Sequence, residues 1–126
     1  MKQYKVVLIS MSGVRVYNQQ LLKLGLTLPG FMERSKVIAS LPSLGLLTLA
    51  AHTPENWTVI YKEIDNYTEN DIQEILNNKP DLIAFSSLTA RINETYNLAT
   101  TCRAAGVKVA IGGLHASAMP NETMKF

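Results

Sequence analysis

The stretch PDLIAFSSLTARINETYNLATTCRAAGVKVAIGG (residues 80–113) decides the fold. It opens with DLIAFSS (81–87), a short apolar run closed by two serines, and it ends with VKVAIGG (107–113), a second apolar run closed by two glycines. Both read as strands covered by the rest of the molecule. Between them RINETYNLATTCRAAG (91–106) places Ile92, Tyr96, Ala99 and Cys102 or Arg103 at successive helical turns, with Gly106 as a stop. A strand, a helix of this length and a second strand, joined by a few residues each, form a parallel pair with a right-handed crossover.

Outward from that unit the alternation continues. WTVIYKEI (57–64) alternates Thr58, Ile60 and Lys62 against Trp57, Val59 and Tyr61, the pattern of a strand toward a sheet edge. TENDIQEILNN (68–78) carries Thr68 and Asp71 at capping-box spacing, an inward stripe of Ile72, Ile75 and Leu76, and a stop at Pro80. YKVVLIS (4–10) is the first strand. PSLGLLTLAAHT (42–53) reads as a short, deeply packed helix entered at Pro42 and Ser43, with Leu44, Leu47, Ala50 and Ala51 inward. Residues 11–40 mix glycine, proline and short apolar groups, too long for an ordinary connection and therefore a candidate functional loop. At the far end PNETMKF reads as the first turn of one more helix. The expected fold is α/β, an open doubly wound parallel sheet of Rossmann-like or flavodoxin-like type. It occupies 1–126 as the N-terminal part of a longer protein, truncated before its last strand.

Composition removes several function classes. Twelve Lys and Arg against ten Asp and Glu give a formal net charge of +2, with no basic block to mark a nucleic-acid partner. The most apolar region, VIASLPSLGLLTLAAH, is interrupted by Pro42, Gly45 and serines and is too broken to span a membrane. The start lacks a secretory cleavage site, so a cytoplasmic protein is expected. Cys102 stands alone and excludes an internal disulfide or a cysteine cluster. Nucleophile elbow, phosphate loop and metalloprotease motifs are all missing, so no catalytic residue and no metal ligand is assigned.

In open parallel sheets ligands lie outside the carboxyl ends of the strands. The segments brought there are SMSG (10–13), SSLTA (86–90) and GGLHASAMP (112–120), all rich in small and hydroxyl-bearing residues. Such loops let a broad or tail-bearing cofactor reach backbone amides and carbonyls. Each residue also has a plainer use. Gly112 and Gly113 suit a turn, Ser86 and Ser87 suit a helix cap, and His115, alone in a loop, suits a structural hydrogen bond. Arg91 serves equally as an anion contact or a solvated helix start. Asp65 occupies the place of a ribose-binding acid, but the matching glycine fingerprint is absent from SMSGVRVYN.

The chain resembles the amino-terminal cobalamin-binding domain of B12-dependent radical S-adenosylmethionine enzymes. The resemblance rests on Pro42-Ser43-Leu44-Gly45-Leu46 leading into a helix, on Gly112-Gly113-Leu114-His115-Ala116-Ser117 followed by Pro120, and on the opening YKVVLIS. It implies a corrin over the carboxyl edge, with the dimethylbenzimidazole tail inserted beside the sheet. Ser86, Ser87, Leu88 and Thr89 would contact the cofactor from one loop and Gly112, Gly113, Leu114 and His115 from the other, while Leu44 and Gly45 approach the ring. The D-x-H-x-x-G motif that brings an axial histidine in mutases is absent. So is the C-x-x-x-C-x-x-C motif, which assigns S-adenosylmethionine, a 4Fe-4S cluster and the methyl transfer or rearrangement itself to a downstream radical domain of the same protein. The alternative is a flavodoxin-like or receiver-like domain that binds a mononucleotide or a protein partner and performs no chemistry.

Overall fold

The computed structural model describes residues 2–11, 42–65 and 67–126, so the expected functional loop at 11–40 lies, beyond Met11, outside the described residues. Four described strands, β1 (Tyr4–Met11), β2 (Trp57–Ile64), β3 (Leu82–Ser86) and β4 (Lys108–Gly112), make one all-parallel sheet in the order β2-β1-β3-β4. β2 and β4 are its outer strands, and β1 is buried from Val6 to Met11. Connections leave β1 toward β2 and then return past it to β3. The strand order therefore reverses between β1 and β3, the position where doubly wound sheets open a crevice at their carboxyl rim.

Helices cover both faces. On one side α1 (Leu44–Ala51) seats Leu46 on Val6 and Leu8, with Ala50, Trp57, Val59 and Tyr61 around them. On the other, α2 (Glu69–Asn77) and α3 (Ile92–Ala104) bring Ile72, Ile75, Leu98, Ala99 and Cys102 against Val7, Ile9, Ile64, Ile83 and Phe85. Complete burial of each large aliphatic or aromatic side chain in this second cluster stabilises the fold by about 1.5–3 kcal/mol.

Local chemistry sets the helix ends. The Asp71 carboxylate accepts from both the Thr68 amide and the Thr68 hydroxyl at 2.8 Å, closing the first turn of α2. At the end of α3 the Gly106 amide donates to Arg103 and the Val107 amide to Cys102, at 2.9 and 3.2 Å. Gly106 has φ +84°, so this is a Schellman motif with glycine in the left-handed position. Asp81 pairs with the backbone of Lys5 through both its amide and its carboxylate, fixing the start of β3 beside β1.

Three expectations need correction. α1 is not deeply packed: Leu44, Leu47 and Leu49 are exposed and Ala51 faces solvent, while Leu46 is the buried residue. LGLLTLAA is apolar around most of its circumference, so its composition selects no inward face. β4 is not covered on both faces, since Lys108, Ala110 and Gly112 are exposed along one side. It is an outer strand on the half of the sheet that α1 does not reach. Finally, Leu114–Ala118 forms a short helix (α4) rather than a loop, followed by α5 (Pro120–Thr123) with proline in its first turn as expected. A cleft of about 810 Å³ runs along the outer side of β4, bordered by Val109, Ile111, Pro120, Met124 and Phe126. It follows the outer edge of β4 and reaches Ala116 and Pro120 in the two short helices after it.

Candidate functional site

Strand register places Glu63, Ser10, Ser86 and Gly112 side by side across the carboxyl rim, one from each strand. Side chains two residues apart share a face, so the next row down is Tyr61, Leu8, Ala84 and Ala110. Both rows lie on the α1 side of the sheet, where Tyr61, Leu8 and Ala84 pack near Leu46. Beside α1, over β3 and β4, the surface consists of Ala84, Ser86, Ala110 and Gly112. Nothing larger than a hydroxymethyl group rises from it, so it forms a shallow trough that opens at the rim. Ala110 and Gly112 are exposed and Ala84 and Ser86 half-buried.

The two glycines have different reasons for being glycine. A Cβ at Gly112 would meet nothing closer than the Phe85 carbonyl oxygen, 3.8 Å away, which is ordinary contact. A Cβ at Gly113 would lie 2.6 Å from the Ser87 carbonyl oxygen and 3.0 Å from its nitrogen, and the residue has φ +97°. Gly113 is thus demanded by the protein's own backbone, whereas the space above Gly112 is open to a ligand. Gly45 on α1 likewise has nothing within 4 Å of its Cβ position.

The other expected contacts divide in the same way. Ser87 is 3% exposed. Its Oγ accepts from the Thr95 hydroxyl at 2.8 Å and donates to the Leu88 carbonyl, tying the β3 loop to α3. The Ser87 hydroxyl therefore faces inward, and its backbone supports Gly113. Leu88, Leu114 and Leu44 are exposed at 38%, 72% and 78%, one apolar side chain from each of three segments on the carboxyl side. Thr89 holds His115, its Oγ1 lying 3.1 Å from Nδ1. The second ring nitrogen lies 3.2 Å from Glu122 Oε1, which also accepts from the Tyr96 hydroxyl at 2.9 Å. His115 is buried, and both its nitrogens have protein partners. It braces the β4 loop, and in this arrangement neither nitrogen is left for a metal. Hydrogen bonds from Tyr96 and then His115 hold the Glu122 carboxyl below the ordinary range. Arg91 makes a two-pronged pair with Glu94 at 3.0 and 2.6 Å.

Sequence reasoning missed Ala84 and Ala110 in the trough, Glu63 and Tyr61 beside it, and Thr95 and Glu122 behind the loops. The usable signal was period-two spacing, which sets Ala84 with Ser86 and Ala110 with Gly112. Among the described residues no group of three or more His, Cys, Asp or Glu is arranged to hold a metal ion, and no helix is long and apolar enough to cross a membrane.

A switch point beside a small-residue trough at the carboxyl rim is where α/β domains of this kind hold a ligand or cofactor. The sequence model of the B12 binding domain matches residues 34–126, well over half of the chain, and the chain belongs to that family. No curated protein and no solved structure matches it. The cofactor is cobalamin, and the uncrowded Cβ position at Gly112 leaves the trough side of the rim accessible to a ligand.

Proposed function

We propose that this chain is the cobalamin-holding domain of a B12-dependent radical S-adenosylmethionine enzyme, acting with a downstream radical domain of the same protein. The observation that carries the reading is the in-register row of Ser10, Ser86 and Gly112 above Ala84 and Ala110, small residues that leave a trough where the sheet's connections diverge. Leu44, Gly45, Leu88 and Leu114 offer apolar contact to the corrin. Ser86, Thr89 and Gly112 border the nucleotide tail, and Ser87, Gly113 and His115 hold their loops in place. Bound cobalamin supplies the cobalt chemistry of methyl transfer or rearrangement. The residues here bind it, orient it and exclude water from the tail. The radical half of the reading is supported by the proline-small-leucine-glycine-leucine entry to α1 and the Gly-Gly-Leu-His turn after β4.

Mixing the protein with hydroxocobalamin, desalting and recording the visible spectrum tests the binding role. Retained corrin absorbance is expected. A colourless protein at micromolar cofactor overturns the placement, and retention of a flavin mononucleotide instead points to the flavodoxin-like alternative. The radical assignment is tested on the gene's reading frame past residue 126, where three closely spaced cysteines are expected.

A further inference from the structure

We propose that Glu63, at the β2 end of the rim, is a further corrin-binding residue that accepts hydrogen bonds from the amide groups around the macrocycle. The inference rests on the cobalamin reading above and extends the site to a strand that none of the loop motifs marked.

Glu63 ends the row that runs through Ser10 to Ser86 on the trough side of the sheet. Its carboxylate is positioned before any ligand arrives. The Tyr61 hydroxyl donates to Oε1 at 2.9 Å, and the same hydroxyl accepts from the Ser43 amide at the start of α1, also at 2.9 Å. Tyr61 therefore locks the carboxylate to the first turn of α1, beside the exposed Leu44 and Gly45. An ionised carboxylate has about four acceptor sites, and among the described residues Tyr61 engages one. Glu63 is half-buried, so its carboxylate keeps partial access to solvent at the β2 end of the row.

The chemistry of the ligand selects this acceptor. The corrin ring of cobalamin is edged by primary amide side chains, neutral groups rich in N–H donors, and hydrogen bonds from such donors to a carboxylate are about twice as strong as those to neutral oxygen. A metal cation would require further ligating side chains close by, and the described residues hold no such cluster. A donor of the amide kind is the partner that one oriented carboxylate serves.

Hydroxocobalamin and dicyanocobinamide, which has the ring but lacks the nucleotide tail, distinguish ring contacts from tail contacts by equilibrium dialysis. Glu63→Ala is expected to weaken both about tenfold, equivalent to about 1.4 kcal/mol, with Glu63→Gln intermediate and Tyr61→Phe weaker in effect than Glu63→Ala. If wild-type protein binds cobalamin and Glu63→Ala binds both corrinoids equally well, the inference falls while the cobalamin reading stands. Loss of cobalamin alone, or a Tyr61→Phe loss matching that of Glu63→Ala, also overturns it, because Glu63 would then act only through α1 or the tail. Should Glu63→Ala fail to fold, the isosteric Glu63→Gln carries the test, and unchanged affinity there is equally fatal. Wild-type protein that binds neither corrinoid defeats the underlying reading instead.

Discussion

The Ser87 carbonyl oxygen stands 2.6 Å from where a Gly113 side chain would begin, so the two loops at the carboxyl rim meet backbone to backbone. Neighbouring Gly112 has no such neighbour. Substitution separates the two. Gly113→Ala must occupy a left-handed conformation, which costs about 1–3 kcal/mol before the clash with Ser87 is counted. A clearly lowered thermal midpoint is expected with or without cobalamin. Gly112→Leu should keep the midpoint near wild type and abolish corrin retention by filling the trough. A destabilised Gly112→Leu that still retains cofactor, or a well-folded Gly113→Ala, contradicts the division of roles.

His115 joins Thr89 to Glu122 through its two ring nitrogens. Each hydrogen bond lost from such a buried site costs about 0.5–1.5 kcal/mol. His115→Ala should therefore lower the thermal midpoint by several degrees and weaken cofactor retention by loosening the β4 loop. The cobalt absorption bands of whatever cofactor remains bound should keep their wild-type positions. A band shift on substitution would make His115 a cobalt ligand and refute its role as a brace.

Legibility of the fold followed local chemistry. α2 and α3 carry their own punctuation, Thr68 with Asp71 at one start and Gly106 at the other end, and both helices were readable from sequence. α1 was readable as a helix but not in its orientation, since leucines on every side leave no stripe to point inward. Ser86, Gly112 and Gly113 could be placed at a rim, but the reason for each glycine could not. A 2.6 Å approach between residues 87 and 113 belongs to tertiary packing and leaves no trace in either segment. The trough was concealed for the same reason. Ala84 and Ala110 become neighbours of Ser86 and Gly112 only once strand order, register and the position of α1 are known.

Acid should destabilise the fold through two identifiable carboxylates. Hydrogen bonds from the Thr68 hydroxyl and amide, then the Lys62 ammonium, hold Asp71 below its ordinary range, and Tyr96 and His115 do the same for Glu122. A carboxyl with a depressed folded value binds fewer protons folded than unfolded. Its contribution is complete above the ordinary carboxylate range and disappears as pH falls through the depressed values. Thermal midpoints measured from pH 7 downward should decline through that acidic window. Asp71→Asn and Glu122→Gln should each start lower at pH 7 and decline less. An unchanged acid slope in both variants removes these two groups as the cause.

Cys102 reports whether α3 is seated on the sheet. It is fully buried on the inward side of that helix, one turn beyond Leu98 and Ala99, and burial pushes its thiol above the ordinary value. The thiolate is the reactive form, so both low access and a raised value slow attack by a thiol reagent. Labelling of the native protein should be orders of magnitude slower than in denaturant and should follow the opening of the helix. Replacement by serine leaves a hydroxyl among apolar groups, at a cost of about 1–3 kcal/mol if no partner is found. Thr100 and Thr101 on the same helix bond back to the carbonyls of Tyr96 and Asn97, four residues earlier. A serine at 102 can likewise reach Leu98, which places the expected loss at the lower end of that range. Fast labelling of folded protein would mean that α3 does not rest on Ile83 and Phe85. The loop that Ser87 anchors to Thr95 would then lose its support, and the carboxyl rim with it.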